Sequence, residues 1–231
     1  MQAIALIGVI DSSLLWKMPD LFRWHSHAVQ ALLWLANVPW QPGGSVKVLP
    51  GITTTLLRTG VLSYSAHPWY PAITFGSVAA FYFLGYRLWP VPLRLLLFLA
   101  PAVLGATFLR LRFWSHSLPY RPEDFWMLWC RNEACLWLLL PAMFSIAFGL
   151  LNLPFWLKFV CVLVPSFLSV LWSAIRLALS LATFHYMGSI WVPFFYFVVG
   201  ILADFLLVLS CYSISLDQAA KWLFGRKEVW N

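Results

Sequence analysis

Charge is scarce in this chain. Asp, Glu, Lys and Arg make up 10% of its 231 residues, against about 25% in a soluble domain. With 62% apolar residues beside that figure, the polar groups needed to solvate a water-exposed surface are missing, and a soluble globular fold is excluded. Cys-x-x-Cys is absent, which removes zinc-ribbon and thioredoxin-like readings. A Gly-rich phosphate loop, His-Glu-x-x-His and Gly-x-Ser-x-Gly are absent too, and with them the motif support for nucleotide, zinc-protease and serine-hydrolase chemistry. Pro165-Ser166-Phe167 is followed by Leu168, where a lipid-phosphatase signature needs His. The segment Met1 to Leu15 lacks a basic n-region and a small-residue cleavage site, so it is not read as a secretory signal. No short fixed repeat is visible.

What is abundant is apolar and aromatic, with 15 Trp and 19 Phe, as expected of a chain with many positions at or in a lipid interface. Apolar runs at 69–86, 95–109, 134–151, 159–175 and 190–212 predict spans, and 21–40 predicts a further helix that is tilted or interfacial. A span needs about 20 residues, so the run 3–10, which ends at Asp11, is too short. The expected fold is all-α: one integral domain over 1–231, a polytopic bundle of about five to six spans. Pro101, Pro141, Pro165 and Pro193 lie inside spans and predict kinks of the kind membranes tolerate. Between 41 and 67, Gln41-Pro42-Gly43-Gly44 and Pro50-Gly51 punctuate β-prone segments, which predicts a small external β-hairpin.

The net charge of +7 does not point to nucleic acid, because the basic residues stand singly at helix ends. They are better read through the positive-inside rule. With the amphipathic basic tail 213–231 in the cytoplasm, the Arg87–Arg94 and Lys158 turns also fall inside. The hairpin and the segments 110–133 and 176–189 then fall outside, and Arg110, Arg112, Arg121 and Arg131 depart from the rule. The expected location is the cytoplasmic (inner) membrane, with lipids as the first partners.

The same topology gathers three chemically useful groups at the external face: Cys135 at the start of one span, Arg176 at the end of the next, and His185 after it. A thiol becomes a nucleophile when a base or cation lowers its pKa, and an Arg can hold an oxyanion. The plain alternative is a packing cysteine, a snorkelling border arginine and an interfacial histidine. Asp204, in Leu202-Ala203-Asp204-Phe205, lies inside the last span. A charge there costs about 2.5–3.5 kcal/mol on insertion scales, which makes Asp204 a candidate proton site, a partner for an arginine on a neighbouring helix, or a structural contact. His25, His27, His67, His116 and His185 sit near span borders rather than at mid-bilayer. They offer no clear axial pair for haem, and no cofactor is expected. Cys130 and Cys135 are close enough in sequence to pair, while Cys161 and Cys211 sit in apolar runs as small hydrophobes.

Glu133-Ala134-Cys135, then Ser173-Ala174-Ile175-Arg176, then Phe184-His185-Tyr186-Met187-Gly188 follow one another in an order that resembles the exosortase and archaeosortase family. Leu32-Leu33-Trp34-Leu35-Ala36-Asn37-Val38-Pro39-Trp40, with Gly43-Gly44 and Leu49-Pro50-Gly51, is similar to the segment leading into that family's core. The resemblance covers about two-thirds of the chain. It implies a membrane-embedded cysteine transpeptidase or peptidase that processes the C-terminal sorting tags of exported proteins. Cys135 would be the nucleophile, His185 the base and Arg176 the oxyanion stabiliser. A second register runs from the Leu49-Pro50-Gly51 hairpin into Ser63-Tyr64-Ser65, with Arg110 and His116 as the later residues. In that register the nucleophile position holds no Cys, which implies a degenerate relative, a binding or assembly factor. Apart from the resemblance, the alternative is a non-catalytic integral subunit packed among other membrane chains, and a third reading is a haem- or quinone-handling protein.

Overall fold

A computed structural model describes residues 2–60, 69–113 and 122–225. It is mostly helical with one two-stranded antiparallel sheet. Among the described residues, three helices are long and apolar enough to cross a membrane, over Glu123–Gly149, Phe155–Met187 and Ser189–Trp222. That is fewer than the five to six spans expected from hydropathy.

The correction begins with the first helix, α1 (Gln2–Leu35). It is one continuous rod that fuses the short 3–10 run with most of the 21–40 helix and carries Pro19 inside it. Asp11, Lys17, Asp20 and Arg23 interrupt its hydropathy, so what holds it is packing. Met18, Phe22, Val29 and Leu33 form a buried stripe at helical spacing. α1 ends in a Schellman turn. Asn37 takes a left-handed φ of 58°, its N–H donates to the Trp34 carbonyl, and the Val38 N–H donates to the Leu33 carbonyl at 2.9 Å. Val38 and Leu33 are both buried, which is the apolar contact such a turn calls for.

The hairpin predicted within 41–67 is present as β1 (Trp40–Leu49) and β2 (Ile52–Thr59). Gly51 in its turn has a φ of 80°, a conformation that suits glycine. The strands are antiparallel, with a register shift between Pro42 and Ser45. Rather than standing clear of the helices, the hairpin packs its buried face, with Val48, Ile52, Leu56 and Leu57, into the same core as α1 and the next helices. Ser63, Tyr64, Ser65, His67 and His116, named above, lie outside the described residues.

The apolar run 69–86 forms α2 (Tyr70–Gly85), whose 16 residues span about 24 Å, short of the roughly 30 Å of a hydrocarbon core. The run 95–109 lies within α3 (Val91–Phe113). The two pack on each other, Phe75 stacking on Phe108 at 5.7 Å. Leu104 and Leu111 meet Ile190 in a small cluster of their own.

α4 (Pro122–Gly149) and α5 (Phe155–Met187) are the central pair. Two segments expected to lie outside as connections are therefore helical: 122–133 opens α4, and 176–187 closes α5. Glycine ends α5, Gly188 taking a φ of 80° while its N–H donates to the Phe184 carbonyl. Cys130 and Cys135 are both free thiols, one buried and one exposed, so the candidate disulfide is not formed. Their five-residue separation on α4 turns them about 140° apart around the axis.

After Gly188 the chain passes through Ser189–Trp191 and α6 (Val192–Phe194) into a π-helical stretch, Phe195–Leu202, and then α7 (Ala203–Gly225). The last helix absorbs most of the tail that was read from 213 onwards. Two main cores result. One gathers α1, the hairpin, the first half of α4, the second half of α5 and the π stretch. The other joins Ile10 to Leu140, Phe144, Phe148, Leu157, Val162 and Cys211.

Candidate functional site

Arg176 is the polar centre of the bundle. Its side chain is 1% exposed, and nearly everything its guanidinium can donate to is supplied by other helices. Nη2 donates to Glu133 Oε1 of α4 at 2.6 Å and pairs with Asp204 Oδ1 of α7. Nη1 donates to the main-chain carbonyls of Val199 at 2.9 Å and Gly200 at 2.8 Å. Both acceptors lie in the π stretch. A π turn resets the helical hydrogen-bond ladder and turns carbonyls away from it, and here two of them are taken by Arg176. The Trp129 ring stands 4.9 Å from the guanidinium carbon and the Trp172 ring 5.9 Å from it, within the range of a cation–π contact. Gly200 allows this approach, since a Cβ there would meet the Phe195 carbonyl oxygen at 3.3 Å and the Trp129 ring at 3.5 Å.

A second polar group adjoins the first. Ser173 lies one turn before Arg176 on α5, and its Oγ is 3.0 Å from His25 Nε2 of α1. The His25 ring is buried beside Trp137, with centroids 5.5 Å apart. Polar contacts thus join α1 to α5 through His25 and Ser173, and α5 to α4 and α7 through Arg176, Glu133 and Asp204. His25 Nδ1, Glu133 Oε2 and Arg176 Nε are buried without a hydrogen-bond partner, so the chain of contacts retains unused donor and acceptor capacity.

The three residues grouped by sequence do not converge. Cys135 is exposed. It follows Glu133 by two positions, about 200° around α4, and Glu133 is the residue that faces Arg176. His185 follows Arg176 by nine positions, about 13.5 Å up α5 and half a turn away. Its Nδ1 lies 2.8 Å from the Gly60 carbonyl oxygen, and its ring meets Tyr186 edge-on at 4.9 Å. Arg110 is exposed near the end of α3. What the fold brings together is Arg176 and Asp204, with Glu133 as the member that sequence reasoning did not single out. Its signal was its position: an acid next to an apolar run, quoted only as a neighbour of Cys135.

Among the described residues no group of three His, Cys, Asp or Glu side chains is placed to hold a metal. Compared with known proteins, the chain matches no family model, no curated protein and no solved structure.

Proposed function

We propose that this chain is a non-catalytic integral membrane protein, a subunit that packs against other membrane chains. The proposal takes up the alternative that stands apart from the exosortase-like resemblance. One observation carries it: both terminal nitrogens of Arg176 are engaged by Glu133, Asp204 and two main-chain carbonyls. A guanidinium so occupied is a structural tie between three helices: only its buried Nε lacks a partner, and neither terminal nitrogen is left over for a developing oxyanion. The last span fits the same reading. Only 17% of its most apolar stretch is buried within the chain, against 44% and 50% in the other two, so most of its surface is left for lipid or for a partner. The proposed location is the inner membrane with the C-terminus in the cytoplasm, in keeping with basic residues such as Lys221 near that end.

The test is purification of the full chain from its own membranes in mild detergent, as wild type and as Cys135→Ala and Arg176→Met. A subunit co-purifies with partners in fixed stoichiometry. That association survives Cys135→Ala and is lost or weakened in Arg176→Met.

The exposed free thiol of Cys135 favours a second reading, the cysteine transpeptidase or peptidase acting on C-terminal sorting tags. Under it, Cys135 reacts with a membrane-impermeant maleimide faster than an ordinary thiol does, and His185→Ala slows that reaction. Cys135→Ala then abolishes tag processing in a folded protein. Ordinary thiol reactivity regardless of His185 leaves the subunit reading standing.

A further inference from the structure

The hairpin and α1 enclose a groove of about 210 Å³ that is separate from the Arg176 cluster. Its α1 wall carries Arg23, His27 and Gln30, at spacings of four and three that place them along one helical stripe. Its β2 wall is formed by Gly51 and the run Thr53 to Thr55, of which the buried Thr54 turns its side chain toward α1. At its base Ser26 Oγ and Thr54 Oγ1, both buried, lie 3.2 Å apart and tie the two walls together.

The chemistry of this lining is one-sided. The guanidinium, imidazole and amide of the α1 wall can all donate hydrogen bonds, and no carboxylate is among the lining residues. The nearest acid is Asp20, whose Oδ1 lies 3.6 Å from Arg23 Nη1 and whose Oδ2 lies 3.7 Å from Lys17 Nζ. Both separations are longer than a charge-assisted hydrogen bond, and Arg23 itself is exposed. Its fork of donors is thus left largely available. A donor-rich, acid-free concavity with an arginine at its edge matches a small oxyanion with several acceptor oxygens.

We propose that this groove binds a phosphate group, carried either by a phospholipid headgroup or by a soluble phosphate. Arg23 and His27 supply the directed donors, and Gln30 adds its amide from the same helical stripe. The site differs from the Arg176 cluster in kind, because its donors face an open groove while those of Arg176 are taken up by the protein.

The experiment uses the full chain, delipidated in a neutral detergent. Its thermal midpoint is titrated with inorganic phosphate at constant ionic strength, and separately with phosphatidylglycerol and with diacylglycerol of the same acyl chains. Wild type is compared with the double variant Arg23→Gln/His27→Ala and with Arg87→Gln, which removes an exposed charge elsewhere. The expected result is stabilisation by a phosphate-bearing probe and not by diacylglycerol. The apparent affinity falls on the order of tenfold in the double variant and is unchanged in Arg87→Gln. Stabilisation by inorganic phosphate identifies a soluble oxyanion, and stabilisation by phosphatidylglycerol alone identifies a headgroup. Should the double variant fail to fold, the single variant Arg23→Gln, at an exposed side chain, must weaken the same probe. No stabilisation by either phosphate probe, or equal affinity in wild type and the folded groove variants, overturns the proposal.

Discussion

The two main cores share α1, α4 and α5, yet they are held by different forces. In the first, Trp126, Trp129, Trp137 and Phe184 surround a set of polar contacts that link four helices through Arg176, Glu133, Asp204, Ser173 and His25. In the second, Leu140, Phe144, Phe148, Leu157 and Val162 meet with little polar chemistry. An apolar contact tolerates small sliding, because any close packing of similar volume serves. A buried ion cluster does not, because each helix must present its partner at one distance and angle or leave a charge uncompensated. The first core sets the relative register of α4, α5 and α7, and the second fills space around it. Between helices in lipid there is little hydrophobic drive, which widens the difference further.

The largest expected effect breaks the first core. Arg176→Ala leaves the buried Glu133 and the partly exposed Asp204 without their cation, a change of the kind that costs about 3–5 kcal/mol for a fully buried pair. It is measured as loss of thermal or denaturant resistance of the purified protein in detergent. The triple variant Arg176→Met/Glu133→Gln/Asp204→Asn removes all three charges together and should lose much less. If the single and triple variants are equally destabilised, the cluster contributes through side-chain volume and the contrast between the cores collapses.

A smaller effect is expected in the second core. Leu140→Ala opens a cavity costing about 2 kcal/mol, the low end of the range for such truncations, since lipid-like surroundings also solvate the exposed walls. Leu140→Met should be nearly neutral in the same assay, whereas no conservative exchange rescues Arg176. The smallest effect belongs to the outer edge of the first core, where Arg58 Nε of the hairpin pairs with Glu123 Oε1 of α4 at 3.2 Å with both side chains partly in solvent. Arg58→Gln should cost about 0–1 kcal/mol and less at high salt. A loss comparable to that of Arg176→Ala would show that the hairpin, not the ion cluster, holds α4 in place.

Much of this contrast can be traced back to particular residues in the chain. The hairpin was legible because Pro50-Gly51 and Gly43-Gly44 bracket β-prone stretches, and turn chemistry acts within a few residues. Asp204 was legible as an anomaly, since a charge inside an apolar run has to find compensation. Which arginine compensates it was not, because Arg176 is distant in sequence and reaches Asp204 only through the π stretch that brings Val199 and Gly200 alongside. Cys135 and Glu133 illustrate the limit from the other side. As neighbours in a motif they look like one site, but on a helix two positions separate opposite faces. The continuity of α1 was hidden for a related reason. Its exposed Lys17, Asp20 and Arg23 obscure a buried stripe that hydropathy averaging cannot see.

The amino-acid sequence by itself determined the helical class, the membrane-directed composition, the hairpin turn and the presence of an intramembrane charge. Each of these depends on residue type or on spacing over a turn or two, so local chemistry suffices. Only the tertiary structure decided that, among the described residues, three helices rather than five or six have the length and apolarity to cross a membrane, that Arg176 is enclosed by Glu133 and Asp204, and that Cys135 and His185 lie away from it. Those outcomes depend on which helix faces meet. Facing is set by packing among α1, α4, α5 and α7, where one rotation satisfies the buried guanidinium and the others leave it bare.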